Sequence, residues 1–599
     1  MPVTERIAKY RELAENQLNA AARYKKELNA NSLLRFFVFL TGSALTYFFH
    51  QNTLLAVLFA AVTGVCFLAL LARHKNLLFK KAKSEALARI AGNELQAFVY
   101  DFSPFDGAPE HVDPAHSFSF DLDIFGERSV FQMLNRTSLA MGKEALAGIV
   151  GSPLKDSEEI RIRQLAVKEL SEKEDFCLSF RTIGMLSDDK LFDNRSIKQL
   201  CRKQELFPRP SLWKIATWVV PALYVLAIAL ALAGLTSGAS ITLLYFTTLL
   251  VSVIPMKKVK QIRSLFDNKA KVLESYADLL KLMETTSFES VQLHSLQQSI
   301  KNERQSASAA IKQLAQYSRN LDLAFAVPVF LLLNPLFLWN VVYALKIEQW
   351  MQRHAVEIEK WFSTLAQVDA LVSMGTFAAN NPDYVFPTFE ESLPFRARKL
   401  GHPLLPRRKC VKNDINVFRK PFFMIVTGAN MAGKSTYLRT VGVNYVLAGA
   451  GLPVCAESMS YRPGQLLTNL RTADSLVNNE SYFFAELKRL KMIIERLESG
   501  EHDLFIILDE ILKGTNSHDK QKGSSQLMKR LVKLGGNGII ATHDLTLGEL
   551  ENEYPQEIAN FHFDAKIEND LLSFDYKLQQ GIARTMNASF LMKSMGITE

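Results

Sequence analysis

The 599-residue sequence predicts an α/β phosphate-binding domain in its C-terminal third, preceded by a mainly helical region that carries two apolar helical hairpins. Three observations support this division. Two pairs of apolar runs lie before residue 260, amphipathic helical patterns fill much of the sequence from about residue 118 to 320, and a strand-loop-helix pattern with a glycine-containing loop begins at Phe422. A chain of this length holds several domains, because single hydrophobic cores stop growing at about 250–300 residues.

The composition lies between that of a soluble protein and that of a multi-span transporter. Apolar residues make up 48% and charged residues 22% of the chain, which fits a soluble body with a few membrane spans. The formal net charge of +9 allows contact with nucleic acid or anionic lipid and does not distinguish the two. The five cysteines are scattered without a CxxC pair or metal-ligand spacing, so the sequence indicates neither a disulfide framework nor a zinc site, and a reducing compartment is favoured.

The first apolar hairpin is predicted at residues 33–72, after a polar N-terminal helix, residues 1–32, that we place in the cytoplasm. Its two legs are residues 36–49 and 53–72, separated by a short polar turn. The second leg has the ~20 apolar residues needed to cross the hydrocarbon core of a membrane. The apolar run begins too late for an ordinary cleavable signal peptide, so we expect the hairpin to remain in the protein.

The second hairpin is predicted at residues 212–256, with legs at residues 215–235 and 239–256. Trp213 and Trp218 near its start are typical of anchors at the membrane interface. Basic residues flank the outer ends of both hairpins, whereas neither connecting turn carries Lys or Arg. The positive-inside rule therefore predicts a multi-pass protein of the inner (cytoplasmic) membrane, with its soluble domains in the cytoplasm.

The remaining boundaries follow from changes of pattern. We interpret residues 73–118 as a juxtamembrane linker, and residues 119–211 and 257–390 as one helical region that the second hairpin interrupts. A further apolar run, residues 323–345, contains prolines and asparagines; we interpret it as a buried or interfacial helix pair, with a spanning segment as the alternative. Residues 391–599 form the predicted α/β domain.

The chemistry of this domain depends on residues 428–435, GANMAGKS, which follow the apolar run FFMIVT and precede a helical pattern. The spacing places Gly428 and Gly433 where the backbone turns sharply and directs its amides at phosphate oxygens. Lys434 would reach the β- and γ-phosphates, Ser435 would supply a Mg²⁺ ligand, and the helix N-terminus favours an anion. The predicted nucleotide-binding residues are Gly428, Ala429, Asn430, Met431, Ala432, Gly433, Lys434, Ser435 and Thr436.

Two further strands end in residues suited to phosphate chemistry. Residues 504–510, LFIILDE, end in two carboxylates, of which Asp509 suits the Mg²⁺ shell and Glu510 suits a general base that positions the attacking water. Residues 538–542 lead to His543, whose ring nitrogen is placed to sense a γ-phosphate. The predicted catalytic residues are Glu510, His543 and Lys434, and the predicted metal ligands are Ser435 and Asp509.

These motifs resemble those of the MutS family. Residues 427–439, TGANMAGKSTYLR, are similar to the family's phosphate loop and following helix, and residues 481–486, SYFFAE, resemble the segment that crosses its dimer interface. Residues 401–403 and 412–414 fall where that family opens its ATPase domain, and weaker similarity is found in residues 125–128, 160–164 and 365–377. The resemblance implies a P-loop ATPase domain of the ABC/MutS type, ATP and Mg²⁺ as ligands, and a homodimer in which Ser481 contacts the nucleotide of the other subunit.

The departures from the family pattern limit what the resemblance implies about function. The N-terminal part does not resemble the mismatch-reading domain, and the second hairpin interrupts the lever region that MutS proteins extend toward DNA. The expected function is a membrane-anchored ATPase that binds DNA in mismatch repair or damage sensing, with mismatch specificity not supported. The alternative is a nucleotide-driven membrane switch or scaffold acting on a protein or lipid partner. An ABC-type transporter is less favoured, because SYFFAEL stands in place of an LSGGQ-like signature.

Overall fold

The computed structural model describes residues 2–187, 207, 210–266, 269–301, 305–392, 394–429, 431–471, 482–501, 503–513, 515–568 and 571–583. Helices account for nearly all of the regular structure before residue 381, and two sheets with their flanking helices follow. This order agrees with the division that the sequence predicts between a helical region and a C-terminal α/β domain.

Two helices of 46 residues each form an antiparallel hairpin near the N-terminus. They are α1 (Val3–Phe48) and α2 (Thr53–Phe98), and the side chain of Asn52 caps α2 by accepting a hydrogen bond from the Leu55 amide. The segment that we interpret as a linker, residues 73–118, is thus helical over its first part. Its alanine, lysine, leucine and glutamate residues are strong helix formers, and they continue the helix that the apolar leg begins.

Several apolar helices have the length and composition of membrane spans. Within the described residues these are α2 and α7 (Pro210–Leu232), and the number rises to four if two bent helix pairs each form one span. The bent pairs are α8 (Gly238–Val253) with α9 (Met256–Phe266), and α12 (Ala307–Leu323) with α13 (Val327–Phe337). Helix α1 is not among them, because the apolar leg at its end is shorter than the ~20 residues that a span needs.

The third apolar run, residues 323–345, is broken where Leu338 adopts a left-handed backbone conformation between α13 and the next helix. Helix α13 bends by 105° from α12 and lies beside α8, where the Tyr245 hydroxyl donates a hydrogen bond to the Leu331 carbonyl at 2.9 Å. Val327 and Leu332 of α13 remain exposed. The run is therefore a short, half-exposed helix followed by a sharp break, not one straight span.

The helical region is organised around one long helix, α14 (Trp339–Asn380), which packs against most of the others. A non-helical residue, His354, kinks it near its middle. Farther along, the buried carboxylate of Asp369 accepts hydrogen bonds from the amides of Ser138 and Leu139 and thereby binds the start of α4. The other helices are α3 (Val130–Leu134), α4 (Ala140–Gly151), α5 (Ser157–Glu172), α6 (Glu174–Leu186), α10 (Ala270–Thr285) and α11 (Val291–Ile300).

The C-terminal region contains two sheets. The larger has the strand order β10-β9-β4-β8-β7-β6, in which all neighbours run parallel except β10, which is antiparallel to β9. The smaller has the order β1-β5-β2-β3. The strands are β1 (Thr388–Phe389), β2 (Phe395–Leu400), β3 (Asn413–Val417), β4 (Phe422–Gly428), β5 (Ser458–Tyr461), β6 (Gln465–Asn469), β7 (Leu504–Asp509), β8 (Asn537–Ala541), β9 (Ile558–Glu568) and β10 (Leu571–Gln580).

Parallel strands bring the predicted motifs to one edge of the larger sheet. Strands β4, β7 and β8 are adjacent and buried, so their carboxyl ends meet. The helices of this domain are α15 (Lys434–Gly449), α16 (Tyr482–Glu498), α17 (Ser517–Lys533) and the short α18 (Leu550–Glu553).

Polar contacts join the α/β domain to the helical region. The buried carboxylate of Asp121 accepts hydrogen bonds from the Thr468 hydroxyl at 2.6 Å and from the amides of Leu470 and Arg471 at 3.1 and 2.9 Å. Asp123 forms an ion pair with the Arg471 guanidinium at 2.6 Å. The loop before α3 is therefore held against the end of β6, so the two regions form a continuous structure.

Candidate nucleotide-binding site

The loop between β4 and α15 has the backbone of a phosphate cradle. Gly428 and Gly433 both have positive φ angles, 146° and 105°, which glycine adopts at little cost. A Cβ atom at position 428 would lie 2.8 Å from the Phe563 carbonyl oxygen, so a larger residue there would collide with the neighbouring strand. Met431, at the tip of the loop, also has a positive φ and is 77% exposed. Helix α15 begins at Lys434, which directs its free amides toward the loop.

The Lys434 side chain is folded into this loop. Its ammonium donates hydrogen bonds to the carbonyl oxygens of Gly428 and Ala429 at 2.7 and 2.8 Å, and it lies 3.4 Å from Nε2 of His543. Burial lowers the pKa of Lys434 to about 8, although the nearby carboxylates of Asp509 and Glu510 oppose that shift. A buried cation of this kind gains stability when an anion such as a phosphate arrives beside it.

The two predicted metal ligands are in contact. The Ser435 hydroxyl donates a hydrogen bond to Oδ2 of Asp509 at 2.6 Å, across the gap between α15 and the end of β7. A hydroxyl and a carboxylate are the oxygen ligands that Mg²⁺ prefers, and Mg²⁺ usually takes its other ligands from water and substrate phosphates. This donor set therefore fits the predicted magnesium site.

Glu510 follows Asp509 in a strained backbone conformation, with a φ of 51°. Its amide donates to the Ala541 carbonyl at 2.9 Å, and its carboxylate forms an ion pair with Lys520 at 2.9 Å and a longer one with Lys513 at 3.7 Å. Burial opposes ionisation, but the Lys520 hydrogen bond and charge outweigh it, so the pKa of Glu510 lies below its ordinary value. The group is thus an ionised carboxylate at neutral pH, as a general base requires.

His543 comes just after β8 and faces the same space. Burial and the charge of Lys434 lower its pKa below the ordinary histidine value, while the two acidic residues oppose that shift. The ring is therefore neutral at pH 7, with one nitrogen able to donate and the other able to accept a hydrogen bond.

These groups border a single cavity of about 680 Å³. Of the predicted site residues, Ala429, Met431, Gly433, Lys434, Ser435, Thr436, Asp509, Glu510 and His543 line it. Gly428 reaches the site through its carbonyl, and Ala432 is buried beneath the loop. Asn430 and Ser481 lie outside the described residues.

The cavity also involves residues that the sequence did not assign to the site. Tyr576 lines it from β10, at a bulge where its own φ is 55°, and its ring would lie 3.1 Å from a Cβ atom at position 433. His402 and Asn413 also line it, and Lys520 reaches Glu510 from α17. In the sequence, the family resemblance already pointed to residues 401–403 and 412–414. No sequence pattern pointed to Tyr576 or Lys520, because only the tertiary structure brings them to the loop.

Glu486 has a supporting position beside the site. It belongs to the segment SYFFAE, is 2% exposed, and accepts a hydrogen bond from the Leu512 amide at 2.5 Å. Burial raises its pKa above the ordinary glutamate value. Leu512 follows the acidic pair and has a positive φ of 60°, so Glu486 holds the strained turn that positions Glu510.

Comparison with known proteins identifies the same region. Residues 424–595 match the sequence model of MutS domain V. The chain is 31% identical to human MutS protein homolog 4 over 239 residues, which cover 38% of this chain and 25% of that protein. It is 29% identical to the DNA mismatch repair protein MutS of Thermotoga maritima over 253 residues, which cover 42% of this chain and 31% of that protein.

The matched region thus spans only about a quarter to a third of the length of these relatives. It is an α/β domain that contains the phosphate loop, strand β7, which ends at Asp509, and strand β8, which precedes His543. The C-terminal part of the chain thus matches MutS domain V, and the proteins it is similar to include DNA mismatch repair proteins.

Proposed function

We propose that the chain binds and hydrolyses ATP with Mg²⁺ at this cavity. One observation carries the proposal: Lys434, Ser435, Asp509 and Glu510, which are separated in sequence, converge on one space beside the start of α15. The loop amides and Lys434 would bind the phosphates, and Ser435 with Asp509 would hold Mg²⁺, which neutralises charge on the β- and γ-phosphates. Tyr576 offers an aromatic ring at the cavity wall for the base.

Hydrolysis needs a water molecule in line with the γ-phosphate. Glu510 is ionised, lies at the end of β7 and is directed into the cavity, so it would orient the water and accept its proton. Its ion pairs with Lys520 and Lys513 hold it in place before substrate arrives. Neutral His543, beside Lys434, would sense the γ-phosphate by a hydrogen bond.

The test is Mg²⁺-dependent binding of a fluorescent ATP analogue to the full chain in detergent micelles. Lys434→Ala should weaken binding by at least about tenfold, since hydrogen bonds to a charged group contribute roughly 1.5–3 kcal/mol. Lys491→Ala is the matched control, because that lysine lies on the surface of α16 with 75% of its side chain exposed. Equal affinities of the native chain and the Lys434→Ala variant, or binding that does not depend on Mg²⁺, would refute the proposal.

A second part of the proposal is a homodimer with composite ATP sites. Two exposed apolar side chains support it: Met431, which lines the cavity at the tip of the phosphate loop, and Phe484 near the start of α16, 50% exposed. Exposed apolar groups beside a nucleotide site suit contact with a second protein surface. Ser481, which lies outside the described residues, immediately precedes α16 and would contact the nucleotide of the partner. Light scattering with and without ATP measures the association.

We further propose that the hairpins anchor the chain in the inner membrane, with its soluble domains in the cytoplasm. Within the described residues, none of the apolar window of α2 is buried, and only 11% of the apolar window of α7 is buried. Contiguous apolar surface of this extent needs a lipid or protein cover. Basic residues at the outer ends of both hairpins support the orientation. Carbonate extraction of cell membranes and protease protection of the hairpin turns would test it.

The ligand that the ATPase serves is proposed to be DNA, in a process related to mismatch repair or damage sensing. The named relatives are MutS proteins, and the net charge of +9 is compatible with a polyanion. Stimulation of hydrolysis by duplex, branched or mismatched DNA, with salt-dependent binding, would support this assignment. Absence of both would count against it.

A nucleotide-driven membrane switch is the second candidate, and one observation favours it. The buried carboxylate of Glu94, on α2, is hydrogen-bonded to Arg136, Arg181 and Asn380 of the helical region. Helix α14, which ends at Asn380, therefore connects the first hairpin with the ATPase. A Glu510→Gln variant should retain ATP, and crosslinking of that variant in membranes separates the candidates: captured DNA supports the first, and a captured protein with no DNA supports the second.

A further inference from the structure

Two cysteines that are distant in sequence meet beside a loop that lines the nucleotide cavity. Cys410 lies in the loop between β2 and β3, and Cys455 precedes β5. A Cβ atom built on Gly401 would lie 2.8 Å from the sulfur of Cys410 and 3.1 Å from the sulfur of Cys455, so both sulfurs border the same small space. Only a glycine at position 401 leaves room for both of them.

The position of Cys455 is fixed by the surrounding backbone. Its amide donates a hydrogen bond to Oδ1 of Asn444 at 2.9 Å. Its carbonyl accepts one from the Gly401 amide at 2.8 Å. The Asn444 side chain also donates to the Gly401 carbonyl at 3.0 Å. One thiol of the pair is therefore held by buried structure, and the other lies on a loop.

That loop forms a wall of the nucleotide cavity. His402, Leu405, Lys409 and Val411 line the cavity, whereas Cys410 does not. The thiol pair thus adjoins residues that line the cavity and does not itself line it. A covalent bond there would fasten the wall to the buried chain at Cys455 without blocking the phosphate loop.

The two thiols differ in exposure and acidity. Cys410 is partly exposed, so a small oxidant can reach it, whereas Cys455 is 5% exposed. A hydrogen bond from the Cys455 thiol, together with the nearby charge of Lys412, lowers the pKa of Cys410 although burial opposes this. The hydrogen bond with Cys410 and, to a lesser extent, burial raise the pKa of Cys455. A thiolate beside a protonated thiol is the arrangement in which the first attacks an oxidant and the second resolves the product.

We propose that Cys410 and Cys455 form a redox-sensitive pair, which a peroxide converts to a disulfide that slows exchange of nucleotide in the adjacent cavity. The Cys410 thiolate attacks hydrogen peroxide, forming an S–O bond while the O–O bond breaks and hydroxide leaves. The Cys455 sulfur then attacks that sulfur, and the displaced hydroxyl leaves as water with the thiol proton. In sum, two thiols and one peroxide give one disulfide and two waters. The effect on nucleotide rests on the proposed function, whereas the thiol chemistry does not.

The first experiment maps the disulfide in the full chain, in detergent micelles treated with hydrogen peroxide. Non-reducing peptide mass spectrometry should recover a linked Cys410–Cys455 peptide, which Cys410→Ser abolishes. Cys177→Ser is the matched control and should leave the link intact, since that thiol is buried elsewhere and burial raises its pKa to about 12. If no linked peptide is recovered after the peroxide treatment, the thiol pair is refuted.

The second experiment measures release of a fluorescent ATP analogue after a chase with unlabelled ATP. Oxidised protein should release it about fivefold more slowly, the lower end of the usual coupling between two sites. Dithiothreitol should restore the original rate, and Cys410→Ser should show no oxidant effect. A disulfide with an unchanged release rate would refute the coupling. If neither redox state retains nucleotide, the proposed function and the coupling both fail, and the linked peptide still decides the thiol pair.

Discussion

The charged residues at the nucleotide cavity and those at the base of the first hairpin differ in what surrounds them. Lys434, Asp509 and Glu510 face a cavity of about 680 Å³ beside the phosphate loop. Glu94 and Arg136, at the base of the first hairpin, border a cavity of only about 30 Å³. The first group has room for a large ligand between its charges, whereas the second has almost none.

The second group satisfies its own hydrogen bonds. The Arg136 guanidinium donates to both oxygens of Glu94 at 2.8 and 3.0 Å, and Arg181 and Asn380 donate to the same carboxylate at 2.6 and 2.9 Å. Burial opposes ionisation of Glu94, but the two arginines outweigh it and lower its pKa. The Tyr10 hydroxyl extends the cluster to α1 by donating to Asn380 at 3.2 Å. A closed cluster of this kind holds neighbouring helices together, whereas the open group at the nucleotide cavity leaves room for a ligand.

Glu510→Gln should produce the largest change at the open group. The amide cannot accept a proton from water, so hydrolysis should fall by about 10²–10⁴-fold, the usual contribution of a general base. Binding of ATP should persist, because the phosphate loop is unchanged. Phosphate release and analogue binding measure the two quantities, with Glu495→Gln on the exposed face of α16 as the control. Hydrolysis at the native rate in Glu510→Gln would remove Glu510 from the reaction.

Glu94→Ala should produce the largest change at the closed group. It leaves Arg136 and Arg181 buried without their carboxylate, which costs about 3–5 kcal/mol of stability. Glu85→Ala on the same helix is the control; its pair with Lys81 has the carboxylate 50% exposed and contributes at most about 1 kcal/mol. Denaturant titration in detergent, followed by tryptophan fluorescence, compares the two variants. Equal losses would mean that the Glu94 cluster does not anchor the hairpin.

The contrast between the two groups also explains why the sequence predicts the residues of one group and not those of the other. The open group is encoded locally: residues 428–435 and the strand ending at Asp509 have a spacing that the chemistry of phosphate requires. Parallel strand order then brings them together. Every predicted residue of the group within the described part lies at or beside the cavity. The roles assigned to them remain predictions.

The closed group has no such signature. Glu94, Arg136, Arg181 and Asn380 belong to four separate segments, and each resembles a surface residue in the sequence pattern. The same limit applies to the helix boundary in residues 73–118, where polar residues suggested a linker although they continue α2. Charged residues that become buried by long-range packing cannot be distinguished, in one sequence, from charged residues in solvent.

The smallest predicted effect is a pH dependence that only the open group should show. Burial holds the pKa of Lys434 at about 8, and a bound triphosphate would raise it, so binding takes up a proton. The affinity for ATP should therefore be full below pH 8 and fall as pH rises above 8, by up to about tenfold per unit. Lys434→Arg should flatten the profile, because a guanidinium stays protonated throughout this range. A native profile that is flat from pH 7 to 9.5 would show that the lysine is already fully charged in the empty site, and that its burial does not affect binding.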